Sequence, residues 1–332
     1  MRKVLFGVPR FSAELGWTDL AAQLPGWEIS VSPRGRLAEC LDGVDVVCPW
    51  GSPVDTATLE AGTFGLVQQF GVGLEKVDVA AATELGVWVA RIPGDAGGNA
   101  DSVAEIAVLH VLALTRRLDE LGSALRERRW DARPLGGSLL GQTVLIVGLG
   151  TIGAALAARL SGFGVRLAGV RAHPERGGLP EACEVAGPDG LARLLGQADV
   201  VVCCAMLDPG TAGMFGAGQF AAMKPGALFV NVARGGLVDE AALLAALDAG
   251  QVGGAGLDVH AKEPADPDSP LLRHPRVFAT PHAGGLTRAM FTRSGRVFAE
   301  NLERWAAGQP PRWAVNSPPF LRPASQVTGQ EG

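Results

Sequence analysis

Residues 143–147 (Thr-Val-Leu-Ile-Val) form a short apolar, β-branched run that stops on Gly148-Leu149-Gly150-Thr151-Ile152-Gly153 and resumes as the helix-compatible stretch 154–160. No other feature restricts the fold as much. A Gly-x-Gly-x-x-Gly string can arise by chance in a chain with 46 glycines. A strand before it and a helix after it make it a defined strand–turn–helix unit. Gly148 permits the tight turn, Gly150 lets backbone approach a ligand, and Gly153 lets the helix sit close to the strand. A dinucleotide pyrophosphate then rests on the helix N-terminus, where the N–H groups around Thr151 and Ile152 favour an anion.

The rest of the chain repeats the same alternation. Strand-like runs at 4–8, 27–32, 44–49, 65–70 and 87–92 are separated by helix-like stretches such as 13–24 and 77–85. From 99 to 128 the period changes, with Val103, Ile106, Ala107, His110, Leu114, Leu118 and Leu121 at helical spacing, which predicts one long amphipathic helix bridging two domains. A second series of strands follows at 143–147, 166–170, 198–205, 227–232, 254–259 and 277–280. The last helix, 287–307, comes after that sheet is complete and is expected to return to the first domain. The pattern predicts an α/β protein of parallel sheets. Residues 1–98 and 287–317 form one domain and 99–286 a dinucleotide-binding domain with a Rossmann-type doubly wound sheet. The Pro-, Ser-, Gln- and Gly-rich tail, 318–332, is expected to be disordered.

Composition removes other classes. With 332 residues, 47% apolar and 19% charged, the chain is neither disordered nor a coiled coil. Its apolar runs fall short of the ~20 residues a membrane span needs. A net charge of −5 without a basic block speaks against nucleic acid as a partner. The first residues read as a strand rather than a leader, so a cytoplasmic location is expected. Five cysteines without a Cys-x-x-Cys pair read as reduced thiols, and no metal site is expected.

The end of the strand at 166–170 bears on which dinucleotide binds. NAD preference usually comes from an acid there that accepts from the ribose 2′-hydroxyl. This chain has Arg171, followed by Ala172-His173-Pro174-Glu175-Arg176. Arg171, helped by Arg176 and His173, suits a 2′-phosphate. NADP(H) is therefore favoured, with NAD(H) as the alternative.

Three segments each follow a strand of the second series: Asn231-Val232-Ala233-Arg234-Gly235-Gly236, Asp258-Val259-His260-Ala261-Lys262-Glu263-Pro264 and Thr280-Pro281-His282-Ala283-Gly284-Gly285. Carboxyl ends of parallel strands are where such sheets bind ligands, so Arg234, Glu263 and His282 can converge. Together with Phe70-Gly71-Val72-Gly73-Leu74-Glu75-Lys76-Val77-Asp78, Pro93-Gly94 and Asn99-Ala100-Asp101-Ser102-Val103-Ala104-Glu105, they make the chain resemble the D-isomer-specific 2-hydroxyacid dehydrogenase family over nearly its whole length. The resemblance implies a Rossmann domain inserted into a flavodoxin-like substrate domain. It also implies a homodimer built on the helix after Asn99, and Asp258 near the nicotinamide amide. His282 would exchange the proton with a 2-keto or 2-hydroxy acid, Glu263 would fix its tautomer, and Arg234 would bind the substrate carboxylate. Backbone N–H groups of Val72, Gly73 and Leu74 would complete the carboxylate site. The other four histidines, at 110, 173, 260 and 274, are read as packed or solvated residues.

Two loops bear on the substrate. Residues 48–53 (Cys-Pro-Trp-Gly-Ser-Pro) carry no cation, and 71–76 carry only Lys76 beside Glu75. A phosphorylated acid such as 3-phosphoglycerate would need more positive charge. Trp50 can instead form an apolar wall. The expectation is an NADPH-preferring glyoxylate or hydroxypyruvate reductase. Alternatives are an NAD-dependent biosynthetic dehydrogenase with a bulkier substrate, or a dinucleotide-binding, corepressor-like partner protein.

Overall fold

A computed structural model describes residues 1–7, 17–33, 36–130, 133, 135–180 and 183–322. The chain divides into two compact units, one of Met1–Asn99 with Leu286–Gly332 and one of Ala100–Gly285. No described helix is long and apolar enough to cross a membrane.

The first unit opens with β1 (Arg2–Phe6), α1 (Trp17–Ala22), β2 (Trp27–Val31), β3 (Val46–Cys48), α2 (Thr56–Ala61), β4 (Leu66–Gln68), α3 (Val79–Glu84), β5 (Trp88–Ala90) and the single turn α4 (Gly94–Gly97). The strands form a parallel sheet in the order β2-β1-β3-β4-β5, the flavodoxin-like order. β3 and β4 are buried at every residue, so neither alternates; β3 is wholly apolar, and the one polar residue of β4, Gln68, accepts from Asn301 at 2.8 Å. Asp55 and Asp78 start α2 and α3 by accepting from backbone N–H groups three residues on.

α5 (Asn99–Arg116) carries the chain into the second unit and is followed by α6 (Leu118–Arg126). One continuous helix was the expectation. Arg117 breaks it, with φ 52° and its guanidinium paired to Glu120 at 2.8 Å. Beyond the break Leu118 and Leu125 are 49% and 60% exposed, so the apolar stripe of α5 does not stay inside.

The second unit contains β6 (Thr143–Val147), α7 (Thr151–Leu160), β7 (Arg166–Val170), β8 (Glu184–Ala186), α8 (Leu191–Leu195), β9 (Val200–Cys203), α9 (Ala217–Ala222), β10 (Ala227–Asn231), α10 (Glu240–Asp248), β11 (Val252–Leu257) and β12 (Val277–Ala279). All pairings are parallel, in the order β12-β11-β10-β9-β6-β7-β8. From β8 to β11 this is the doubly wound Rossmann order, with β12 added at the edge. It puts the switch of winding direction between β6 and β9. Val103, Ala104, Ala107 and Val111 of α5 pack with Val144, Ile146 and Leu156 on one face of the sheet. Phe215, Phe220, Phe229 and Leu243 lie in the core cluster of the other.

The chain then re-enters the first unit as α11 (Arg288–Ala306), capped by Thr287 and burying Phe291, Phe298 and Leu302 with Phe6 and Phe70. Residues 318–322 depart from the expected disorder. Arg322 donates from its backbone to Gly86 O, and from its side chain to the carbonyls of Leu59 and Gly62 at 2.8 and 2.7 Å. The remainder of the expected tail, like residues 13–16 of the first expected helix, lies outside the described residues.

Candidate active site

The glycine turn after β6 shows a division of labour. Gly148 has φ 100°, and a Cβ there would lie 2.5 Å from Ala205 N. A Cβ on Gly153 would lie 2.2 Å from Gly148 O. Both glycines are demanded by the protein's own packing. Gly150 is not, because nothing lies within 4 Å of where its Cβ would be. It caps α7 with no side-chain hydrogen bond and no acid in the first turn. The start of α7 at Gly150 and Thr151 is therefore open at the positive end of a helix dipole, which fits a dinucleotide pyrophosphate.

Arg171 follows β7 directly. Its backbone N–H continues the pairing toward Ala186, and its guanidinium donates to Gly177 O at 2.8 Å, closing the turn of residues 174–177. Arg176 on that turn is exposed, and His173 lies 3.4 Å from Glu175. The strand end thus carries Arg171 rather than an acid, and the turn beyond it carries both Glu175 and Arg176.

The segment after β10 is held by Asn231, which is 1% exposed. Its amide donates to Arg234 O at 2.9 Å and accepts from Ala233 N at 3.0 Å. Arg234 is half-buried, with one guanidinium N–H on Ala233 O at 2.7 Å. The next residue must be glycine. A Cβ on Gly235 would lie 1.9 Å from the carbonyl carbon of His260, so the Arg234 turn is pressed against the segment that carries Glu263.

Glu263 accepts from His260 N at 3.2 Å through one oxygen and contacts His282 Nδ1 at 2.8 Å through the other. Burial pushes its carboxyl up. The bond to His282 and the charges of His282 and His260 outweigh this and hold it below the usual value. An ionised carboxylate can only accept, so Nδ1 carries the hydrogen. The neutral ring then has its lone pair on Nε2, as a proton-transfer atom requires.

His282 has φ 55°, a left-handed conformation a histidine adopts only under constraint. Asp258, 1% exposed at the end of β11, supplies that constraint. Its carbonyl accepts from His282 N at 2.7 Å. Its carboxylate accepts from the Thr280 hydroxyl at 2.5 Å, and from Ala283 N and Gly284 N at 2.9 Å each. The resemblance put Asp258 beside the nicotinamide. In the structure both its oxygens are engaged with the His282 loop. Two histidines read from the sequence as bland also converge here. His260 Nε2 lies 3.0 Å from Thr280 O, and His110 Nε2 lies 2.9 Å from Thr280 Oγ1. Helical periodicity assigns His110 to an inward face but not to this strand end.

In the first unit Trp50 has φ 45°, stacks on Phe291 at 5.7 Å and 15°, and lies tilted by 33° against Phe70 at 4.8 Å. Lys76 Nζ donates to Gly51 O at 2.9 Å. The N–H groups of Val72, Gly73 and Leu74 donate no hydrogen bond among the described residues, while the carbonyls of Gly71 and Gly73 are held from Ile92 and Gln69.

Comparison with known proteins agrees with this arrangement. Residues 108–284, just over half of the chain, match the family described as D-isomer specific 2-hydroxyacid dehydrogenase, NAD binding domain. The chain is 36% identical over 269 residues to a D-3-phosphoglycerate dehydrogenase of Archaeoglobus fulgidus, covering 80% of this chain but 50% of that one, so it spans about half the length of that curated relative. It is 35% identical to a glyoxylate reductase of Korarchaeum cryptofilum, covering 80% of each. Among solved structures, an NADPH-dependent glyoxylate/hydroxypyruvate reductase of Sinorhizobium meliloti superposes with a TM-score of 0.78 at 28% identity, over 97% of this chain and all of that one. With the glycine turn, the Arg234 segment and the paired Glu263 and His282 carried on one doubly wound sheet, the chain belongs to the D-isomer specific 2-hydroxyacid dehydrogenase family.

Proposed function

We propose that this oxidoreductase is an NADP(H)-preferring reductase of small, unphosphorylated 2-keto acids of the glyoxylate and hydroxypyruvate type. The observation that carries the reading is the 2.8 Å pair between His282 and Glu263, which fixes the tautomer of a proton-transfer histidine. A nicotinamide held there would supply the hydride for the keto carbon. His282 gives the proton to the carbonyl oxygen from Nε2, and takes it back in the reverse direction. Glu263 holds Nδ1–H and stabilises the imidazolium. Arg234, a permanently charged planar fork, binds the substrate carboxylate and polarises the carbonyl. The N–H groups of Val72, Gly73 and Leu74 and the wall of Trp50 are further substrate contacts in this reading. Gly148, Gly150, Thr151, Ile152 and Gly153 hold the pyrophosphate, and Arg171 and Arg176 the 2′-phosphate.

The similarity to phosphoglycerate dehydrogenases favours a second reading, NAD-dependent oxidation of a phosphorylated acid. The loops at 48–53 and 71–76 weigh against it, since their one cation, Lys76, donates to Gly51 O. Initial rates with NADPH and NADH against glyoxylate, hydroxypyruvate, pyruvate and phenylpyruvate, and with NAD against 3-phosphoglycerate, separate the two. Faster turnover with NADPH and the two small acids supports the first reading, and turnover of 3-phosphoglycerate overturns it.

A homodimer is also part of the proposal. Leu118, Leu125, Trp130, Leu135 and Leu140 are 49–91% exposed within one 23-residue stretch, apolar side chains that a second copy would cover. Light scattering at micromolar concentration tests it.

A further inference from the structure

His110 lies fully buried on α5, edge-on to Phe278 with ring centroids 5.1 Å apart. It sits over Gly256 of β11, where a Cβ would come within 2.8 Å of its Nδ1 and 2.9 Å of its Cβ. The glycine is the space that admits the imidazole. A leucine would satisfy this helix–sheet contact without burying a polar ring, which is costly unless hydrogen-bonded. The ring makes one such bond, from Nε2 to Thr280 Oγ1, and its Nδ1 has none.

The direction of that bond follows from its neighbours. Asp258 accepts from Ala283 N and Gly284 N, one on each oxygen, and from Thr280 Oγ1 at 2.5 Å. The single hydroxyl proton of Thr280 is thereby committed to Asp258, and His110 must be the donor to Thr280. Burial pushes the imidazole down to about 4, with the Asp258 charge opposing, so the ring is neutral near neutrality and its one N–H points at Thr280. A chain of three groups, His110 to Thr280 to Asp258, ends on the two N–H groups that follow His282.

We propose that His110 is a positioning residue for His282: its Nε2–H orients the Thr280 hydroxyl toward Asp258, and Asp258 so held keeps His282 of loop 280–284 in the left-handed conformation that presents its ring. The inference rests on the reading of His282 as the proton-transfer residue. It adds a residue on a different element, far from the triad in sequence.

The test uses the full chain and the variants His110→Leu, His110→Gln and Thr280→Val. Leucine fills the site without a donor, whereas a Gln amide reaches about where Nε2 lies and can donate. His110→Leu is expected to lower kcat about tenfold, the effect of losing one neutral hydrogen bond, with the nucleotide KM within about twofold of wild type. His110→Gln is expected to recover most of that loss. Thr280→Val keeps the side-chain shape and removes the link, and its loss should not add to that of His110→Leu. Wild-type kcat in His110→Leu, or equal impairment in His110→Gln, overturns the proposal. If the wild type turns over no 2-keto acid, the reading of the reaction fails, and the amide resonances of His282, Ala283 and Gly284 still decide the positioning. They should move in His110→Leu and return in His110→Gln, and unmoved resonances refute it.

Discussion

Replacing Asp258 by Asn separates two roles for a residue that the resemblance would put against the cofactor. The carboxylate is 1% exposed and accepts three hydrogen bonds, from Thr280 Oγ1, Ala283 N and Gly284 N, at 2.5 to 2.9 Å. An Asn side chain has one acceptor oxygen and one NH2 group. Placed with its oxygen toward Thr280 and Ala283, it turns the NH2 against the N–H of Gly284, and flipped it opposes two donors. At least one buried N–H loses its partner, at about 1–3 kcal/mol, and the surviving bonds lose their charge assistance. His282 at φ 55° needs those bonds to stay where it is, because a left-handed non-glycine residue costs of order 1–2 kcal/mol. A net loosening of about 2–3 kcal/mol lowers the equilibrium constant between held and released loop by a factor of about 30–150. The assay is steady-state kinetics with 2-keto acid and saturating nucleotide, alongside nucleotide binding by quenching of intrinsic fluorescence. The expected result is kcat down by one to two orders of magnitude with nucleotide affinity within about threefold. A raised nucleotide Kd with near-normal kcat refutes this reasoning and returns Asp258 to the cofactor. Hydrogen exchange at Ala283 and Gly284 reports the same loosening without turnover.

Gly235→Ala places a Cβ 1.9 Å from the His260 carbonyl carbon, against backbone that cannot rotate away, so a loss of about 2–3 kcal/mol in urea unfolding is expected; wild-type stability would show that the Arg234 turn can shift. Arg171→Asp should weaken NADPH binding by an order of magnitude or more and NADH much less, and equal effects in paired titrations would remove the 2′-phosphate assignment. Glu263 is held below its ordinary value, so its ionised form contributes stability above the ordinary carboxylate range, and that contribution is lost as pH falls through the lowered value. In Glu263→Gln that acid dependence should be missing from a pH series of melting temperatures, and an unchanged acid limb would assign it elsewhere.

Much of the fold was legible because buried parallel strands announce themselves. β6 and β7 run over the residues expected of them, and four of the five strands of the first sheet fall inside their expected runs, while β1, Arg2–Phe6, begins two residues ahead of the expected 4–8. β8 escaped notice because three residues beginning with Glu184 carry too little apolar pattern to stand out from a loop. The break at Arg117 was hidden because leucines continue at helical spacing on both sides of it, and periodicity does not show that those beyond it face outward. Arg234, Glu263 and His282 could be singled out because each follows a strand, and a parallel sheet gathers such ends at one edge.

The glycine turn, the two series of parallel strands and the three side chains whose chemistry suits a 2-keto acid can be read directly from the order of residues. All of these depend on local spacing and on the period of burial. What holds them in place is visible only in the folded packing. That Asp258 turns inward to His282's loop, that Gly235 is pressed on His260, and that His110 reaches Thr280 across 170 residues are consequences of which surfaces meet. A buried hydrogen bond has no sequence period. Its partners are set by the packing of a helix on the end of a sheet, and that geometry exists only once the chain has folded.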